Sequence, residues 1–179
     1  IAPSHGVVWR KDPAQVINWY ANWASYAGQA AEKGIILVYG SMYGNTAELM
    51  EAVVQGIASE CVPVEVFDVA RTPFSLILPS LYTQRGVLIG APTYERKLFP
   101  PMTALLALAE LKEIKHKTAA YFGSHSWGGG AVKQVNSLFD ALEWEMALEP
   151  LDVTSGPACK DLEAAKKFGA EFARLIKES

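Results

Sequence analysis

From Lys33 to the end of the chain, short apolar runs alternate with amphipathic stretches, and this alternation constrains the fold more than any other feature. Ile35-Ile36-Leu37-Val38-Tyr39 is apolar without a break, as expected of a strand covered on both faces. Thr46–Glu60 then places Ala47, Met50, Val53, Val54 and Ile57 on one helical face, and Val64–Val69 reads as a second strand. Between Pro73 and Arg85 the pattern allows only a short helix, interrupted by Pro79. Val87–Gly90 reads as the third strand, Pro101–Leu111 as a helix, and Thr118–Gly123 as the fourth strand. Ala131–Leu142 aligns Ala131, Val135, Leu138, Phe139 and Leu142 on one face of a helix. Ala147–Val153 is the fifth strand, where Pro150 indicates an edge position. Asp161–Lys177 closes the chain as a helix carrying Leu162, Ala165, Phe168, Phe172, Leu175 and Ile176.

Strands and helices in this order imply a three-layer α/β fold, a five-stranded parallel sheet with helices on both faces and right-handed crossovers. Such a sheet binds ligands beyond the carboxyl ends of its strands, so the loops after the first, third and fourth strands are where function is sought. Ahead of it, residues 12–30 read as a helix. Asp12 is its N-cap, Pro13 its first residue, and Val16, Ile17, Tyr20, Trp23, Ala24 and Ala27 recur at helical spacing. Gly28 and Gly34 bracket its end. Ile1 is not an initiator methionine, and the first residues lack the basic start and apolar core of a signal peptide. The expectation is a chain cut from a longer one.

At 179 residues, half of them apolar, the chain has material for one full α/β domain. Sixteen Lys+Arg against 19 Asp+Glu, with no basic block, argue against a nucleic-acid partner. No apolar stretch reaches the ~18 residues a membrane-spanning helix requires. Cys61 and Cys159 lie far apart without CxxC spacing, so neither a disulfide framework nor a zinc site is indicated. A reducing, cytoplasmic setting is the expectation.

The first loop, Gly40-Ser41-Met42-Tyr43-Gly44-Asn45-Thr46, opens directly into a helix. Backbone N–H groups at that helix start, with the side chains of Ser41, Asn45 and Thr46, form a donor-rich cup for a phosphate, and Gly44 permits the turn. No lysine follows the glycine, so this is not a nucleoside-triphosphate loop and suits a single terminal phosphate. Taken alone it also reads as an ordinary Gly-Asn turn with a Thr cap. The second loop, Gly90-Ala91-Pro92-Thr93-Tyr94-Glu95, presents a rigid proline, a hydroxyl and an aromatic ring, or else Tyr94 simply covers the core. The third, Gly123-Ser124-His125-Ser126-Trp127-Gly128-Gly129-Gly130, sets an indole among small residues. Three consecutive glycines, each costing about 1 kcal/mol in a regular element, suggest a backbone that passes close to a ligand. Together the three loops describe a site for a flat ring carrying a phosphorylated tail, which is flavin mononucleotide (FMN).

Residues 33–179 thus resemble a flavodoxin-like domain, with sheet order 2-1-3-4-5 and Ser41–Thr46 as its phosphate loop. Tyr43 departs from common flavodoxins, which carry a hydroxyl residue there. Combined with Gly90–Tyr94 and Gly123–Gly130, the loop is instead similar to that of the flavodiiron proteins. Ala2-Pro3-Ser4-His5-Gly6, followed by Trp9-Arg10, resembles the segment that ends that family's metallo-β-lactamase-like domain, making residues 1–32 its remnant and linker. The resemblance covers the whole chain but only the C-terminal part of the family's architecture.

That resemblance implies an FMN that takes electrons from a rubredoxin-like donor or an NAD(P)H-dependent reductase. It passes them to a diiron centre that reduces dioxygen, nitric oxide or both. It also implies a homodimer or tetramer, and His5 as the last histidine ligand of a centre whose other ligands lie outside this chain. The cofactor contacts it implies are Ser41, Met42, Tyr43, Gly44, Asn45, Thr46, Pro92, Thr93, Tyr94, Glu95, Ser124, His125, Ser126, Trp127, Gly128 and Gly129.

Other residues carry competing readings. His116 reads as a solvated turn residue, whereas His125 either points outward or approaches the pyrimidine edge of the flavin and couples proton to electron uptake. Trp9, Trp19 and Trp23 are expected to pack against a further domain or partner. Asp68 ends the second strand, where a dinucleotide fold binds ribose, but GxGxxG is absent. Glu95 beside the ring disfavours negative charge on it. The competing functional reading is a stand-alone FMN-dependent NAD(P)H:quinone reductase. A phospho-receiver of similar topology needs an acidic pair after the first strand, and Gly40-Ser41-Met42 has none.

Overall fold

The computed structural model describes residues 1–26 and 32–179, which divide into two compact units, Ile1–Ala31 and Glu32–Ser179. In the first unit, α1 spans Pro13–Ser25. Asp12 caps it, its carboxylate accepting from the Gln15 N–H at 3.3 Å, as the Asp-Pro start predicts. The helix was expected to run to residue 30; α1 ends at Ser25 with Tyr26 as its C-cap, the expected continuation with Ala27 and Gly28 lies outside the described residues, and Gly34 belongs to the following strand. Only Val16 of α1 is buried. Trp9, Trp19, Trp23 and Tyr20 form an aromatic cluster, Trp9 meeting Trp19 edge-on at a centroid distance of 5.5 Å, Trp19 stacking on Trp23 at 6.3 Å, and Tyr20 tilted against Trp23. Trp19, Tyr20 and Trp23 nonetheless stay exposed.

The second unit carries, in order, β1 (Glu32–Tyr39), α2 (Asn45–Ser59), β2 (Val64–Asp68), α3 (Phe74–Thr83), β3 (Gln84–Gly90), β4 (Thr93–Tyr94) and β5 (Lys97–Leu98). It continues with α4 (Pro100–Leu111), β6 (Thr118–His125), α5 (Ala131–Leu142), β7 (Glu145–Met146), β8 (Leu151–Thr154) and α6 (Cys159–Glu178). The main sheet is parallel, in the order β2-β1-β3-β6-β7, with β8 also pairing to β6. Ile35 faces Val64 on one side and Gly86 on the other, and Gly86 faces Thr118. The expected three-layer order is therefore present.

The continuous apolar runs are buried on both faces because successive side chains alternate between two cores. Ile36, Val38, Val87, Ile89, Ala119 and Tyr121 pack with residues of α3, α4 and α5. Ile35, Leu37, Leu88, Ala120 and Phe122 pack with residues of α2 and α6.

Three expectations are corrected. The single fifth strand over 147–153 is two short pieces, β7 and β8, flanking Pro150, which has no N–H for the ladder. The helix between Pro73 and Arg85 runs through Pro79, since burial of Ile77 and Leu81 outweighs the lost hydrogen bond. The fourth strand extends two residues further, to His125, because β8 pairs with it there.

Candidate functional site

The carboxyl ends of β1, β3 and β6 lie side by side, so the three loops singled out by sequence converge above the middle of the sheet. After β1 the chain turns through Ser41–Gly44 into α2. Gly44 is the N-cap residue of α2 with φ of +94°, a backbone state that disfavours every residue with a Cβ. Its N–H donates to Ser41 Oγ at 3.1 Å. The first-turn N–H groups of α2 have no intrahelical acceptor, as in any α-helix, and no side chain caps them. Thr46 is buried in that turn, with Oγ1 3.1 Å from Ser124 Oγ of β6.

After β3, Ala91 and Pro92 lead into an antiparallel hairpin that the sequence reading took for plain loop. Thr93 pairs with Leu98 and Tyr94 with Lys97, and Glu95 and Arg96 at the tip both have positive φ. Two such residues in a two-residue connection make the tight turn whose twist suits a hairpin, here without the usual Asn or Gly. The hairpin is held from α5: Leu98 N–H donates to Gln134 Oε1 at 2.8 Å and Ala131 N–H to Thr93 Oγ1 at 3.4 Å. Gly130 is required by the same contact, since a Cβ there would lie 2.2 Å from the Arg96 carbonyl oxygen. Beneath, the buried Tyr121 hydroxyl donates to Ala91 O at 2.7 Å and fixes the start of the loop. Burial, with the nearby Asp152 charge, raises the pKa of this phenol far above the usual range, so it stays a donor.

After β6, Ser126, Trp127, Gly128 and Gly129 are exposed, Trp127 fully so. His125 is half-buried at the strand end. Its Nε2 lies 3.2 Å from Thr154 Oγ1, and its Nδ1 lies 3.0 Å from Asp152 Oδ2, close but not aligned as a hydrogen bond. Asp152, on β8, was missed in the sequence because its link to His125 is non-local.

The loops enclose two adjoining spaces. A recess of about 60 Å³ is lined by Ser41, Met42, Tyr43, Asn45, Thr46, Pro92, Thr93, Ser124, His125 and Ser126. An open cleft of about 720 Å³ beside it is lined by Met42, Tyr43, Thr93, Tyr94, Glu95, Arg96, Ser126, Trp127, Gly128 and Gly129. Every cofactor-contact residue expected from sequence lines one or the other, except Gly44, which acts through the backbone turn. Arg96 is an addition. The recess contains hydroxyls, an amide and a helix N-terminus but no carboxylate, a donor set that fits one phosphate. The cleft, flanked by Tyr43, Tyr94 and Trp127, fits a flat ring and falls within the usual range of ligand sites.

The remaining candidates lie elsewhere. His5 is exposed in the first unit, and no group of three or more His, Cys, Asp or Glu able to hold a metal occurs among the described residues. His116 is exposed, 3.6 Å from Glu143. Asp68 accepts from the Ala70 N–H and pairs with Arg71, local contacts at the end of β2. No described helix is long and apolar enough to cross a membrane.

Residues 37–169 match the flavodoxin family. The chain is 36% identical over 176 residues to the anaerobic nitric oxide reductase flavorubredoxin of Escherichia coli O1:K1, an alignment covering 97% of this chain and 36% of that protein. It thus spans about a third of the length of that relative. The flavodiiron protein from Giardia intestinalis superposes with a TM-score of 0.87 at 22% identity, covering 97% of this chain and 43% of that one, a likeness of fold. Oxidised flavodoxin 1 from Bacillus cereus superposes with a TM-score of 0.70 at 26% identity, covering 79% of this chain and 97% of its own. A profile match over three quarters of the chain, with the fold and loops described above, settles the family: the chain belongs to the flavodoxins, whose domain takes FMN as its cofactor.

Proposed function

We propose that this chain is the FMN-binding electron-transfer domain of a flavodiiron oxidoreductase. The observation that carries the reading is the uncapped N-terminus of α2, opening onto a carboxylate-free recess that adjoins an aromatic-flanked cleft. Ser41, Gly44, Asn45 and Thr46 hold the phosphate through backbone N–H groups and hydroxyls, and Met42 and Tyr43, which line both recess and cleft, bridge the phosphate and the ring. Thr93, Tyr94 and Glu95 flank the ring on one side and Ser126, Trp127, Gly128 and Gly129 on the other, while Pro92, Ser124 and His125 line the adjoining phosphate recess. Bound FMN supplies the electron chemistry, taking up and releasing electrons one or two at a time. The chain's own residues bind it, fix its orientation and restrict water. None acts as nucleophile or general acid.

Residues 33–179 form this domain, and residues 1–32 continue from a preceding metallo-β-lactamase-like domain. Similarity to flavorubredoxin over 97% of the chain, but over only 36% of that relative, supports this division. In the longer protein His5 is a ligand of a diiron centre that reduces dioxygen, nitric oxide or both. Electrons reach FMN from a rubredoxin-like donor or an NAD(P)H-dependent reductase in the cytoplasm, and a homodimer or tetramer brings flavin and iron together.

The test is purification, absorption spectroscopy and identification of the extracted cofactor, followed by photoreduction and electron delivery to a one-electron acceptor. FMN and rapid delivery are expected; a colourless chain that takes up no added FMN refutes the reading. Sustained NAD(P)H oxidation with a quinone acceptor would favour the self-contained reductase instead.

A further inference from the structure

We propose that Ser124 is a positioning residue for the FMN phosphate, acting through the hydroxyl of Thr46. The inference rests on the FMN reading above and adds to it a direction for one buried hydrogen bond. Thr46 Oγ1, at the start of α2, and Ser124 Oγ, at the end of β6, lie 3.1 Å apart and either can donate. The two residues are 1% and 6% exposed, so no bulk water competes for the pair. Both also line the recess at the α2 N-terminus.

Each hydroxyl has one proton and two acceptor lone pairs. A phosphate only accepts. When Thr46 donates to it, the single Thr46 proton is spent, and the bond to Ser124 persists only with Ser124 as donor. The result is a directed chain: Ser124 O–H to Thr46 Oγ1, and Thr46 O–H to a phosphate oxygen. Each bond polarises the next, the more so away from water. A flavin without phosphate leaves the direction of the pair undetermined and gains nothing from it. Ser124 therefore favours the phosphorylated form by setting the polarity of its neighbour, and couples the third loop to occupancy of the first.

Two other roles for the same hydroxyl give different results. A simple clamp between the loops would support FMN and riboflavin alike. A direct Ser124–phosphate bond would be independent of Thr46. The experiment is calorimetric titration of the cofactor-free chain with FMN and with riboflavin, for wild type, Ser124→Ala, Ser124→Cys, Thr46→Val and the double variant Thr46→Val/Ser124→Ala. Melting temperatures of the cofactor-free proteins check folding.

Ser124→Ala is expected to weaken FMN about five- to tenfold and riboflavin less than about twofold, the range of one neutral hydrogen bond. Ser124→Cys, with a weaker donor, should fall between wild type and alanine. In the Thr46→Val background, Ser124→Ala should cost less than about twofold more, the non-additivity of groups in one network. Equal losses for both flavins, additive losses in the double variant, or no FMN loss would each overturn the proposal. If Ser124→Ala does not fold, the FMN-to-riboflavin ratio of Ser124→Cys decides alone. Wild-type protein that binds riboflavin as tightly as FMN, or binds neither, defeats the FMN reading itself and is recognised before any variant is compared.

Discussion

Lys117 immediately precedes β6, the strand that carries Ser124 and His125 to the site, and it is almost fully buried at 6% exposure. Its Nζ donates to the carbonyl oxygens of Tyr82 and Gln84, each at 2.8 Å, tying the end of α3 and the start of β3 to β6. Burial, reinforced by the nearby Arg85 charge, lowers its pKa from 10.5 to about 8. The folded chain therefore releases this proton earlier than the unfolded chain does. Between pH 8 and 10.5 the unfolded state holds more protons, so stability rises with pH in that window. At about 1.4 kcal/mol per tenfold change in proton affinity, the gain between pH 7 and pH 9.5 is roughly 2 kcal/mol.

Tyr121 sets the upper limit. Its raised pKa keeps the folded phenol protonated where an unfolded one ionises, so stability falls again above about pH 10. Urea unfolding followed by tryptophan fluorescence at several pH values should be compared with Lys117→Met, which keeps the apolar stem. The variant loses the two carbonyl partners at every pH, a cost of about 1–3 kcal/mol for each buried group left unpaired. That offset does not depend on pH, and the exposed groups cancel in the difference. The rise to pH 9.5 should be missing from the variant. Parallel wild-type and variant curves over pH 7–9.5 would refute the argument.

Gly130→Ala puts a methyl group 2.2 Å from the Arg96 carbonyl oxygen and should cost about 1–3 kcal/mol of stability as the hairpin lifts, with a clear loss of FMN affinity. Thermal melting and FMN titration of the same sample check it, and an unchanged FMN affinity counts against the hairpin as a wall of the site. Trp127→Ala should weaken FMN roughly two- to tenfold, the worth of one aromatic stacking contact, and brighten the bound flavin in steady-state fluorescence. Wild-type flavin already as bright as free flavin would remove Trp127 from the ring contacts. Anaerobic reconstitution with ferrous iron, desalting and metal analysis should leave little iron on the chain and no nitric oxide turnover, because the described residues hold no cluster of metal ligands. Iron approaching a dinuclear stoichiometry with turnover would overturn the domain assignment.

What was legible in the sequence depended on whether an element is held by its own pattern or by distant partners. Ile35–Val38 and Val87–Ile89 could be read as central strands because burial on both faces forces every position to be apolar, and all are at most 1% exposed. The fifth strand was misplaced because its two pieces are short and receive their register from β6 instead of from any local pattern. The hairpin after β3 escaped notice for a similar reason. Glu95 and Arg96 are poor turn residues, and what holds them is Gln134, Ala131 and Gly130, more than thirty residues away in sequence.

The site divides along the same line. Its loops were legible because helix starts, glycines and strand ends are local signals, and the residues so named line the recess and the cleft. The pairs that give those loops their chemistry were not legible. Thr46 meets Ser124 across 78 positions, and His125 meets Asp152 on a strand that the sequence reading had drawn differently. A phosphate cup without lysine must draw its affinity from oriented neutral donors and the end of a helix. The backbone N–H groups have a fixed direction, whereas a hydroxyl such as that of Thr46 rotates and takes its proton direction from its partners. The loops after β1 and β6 converge because their strands lie on either side of β3. Under the role proposed for Ser124, the third loop then sets the proton direction of the first.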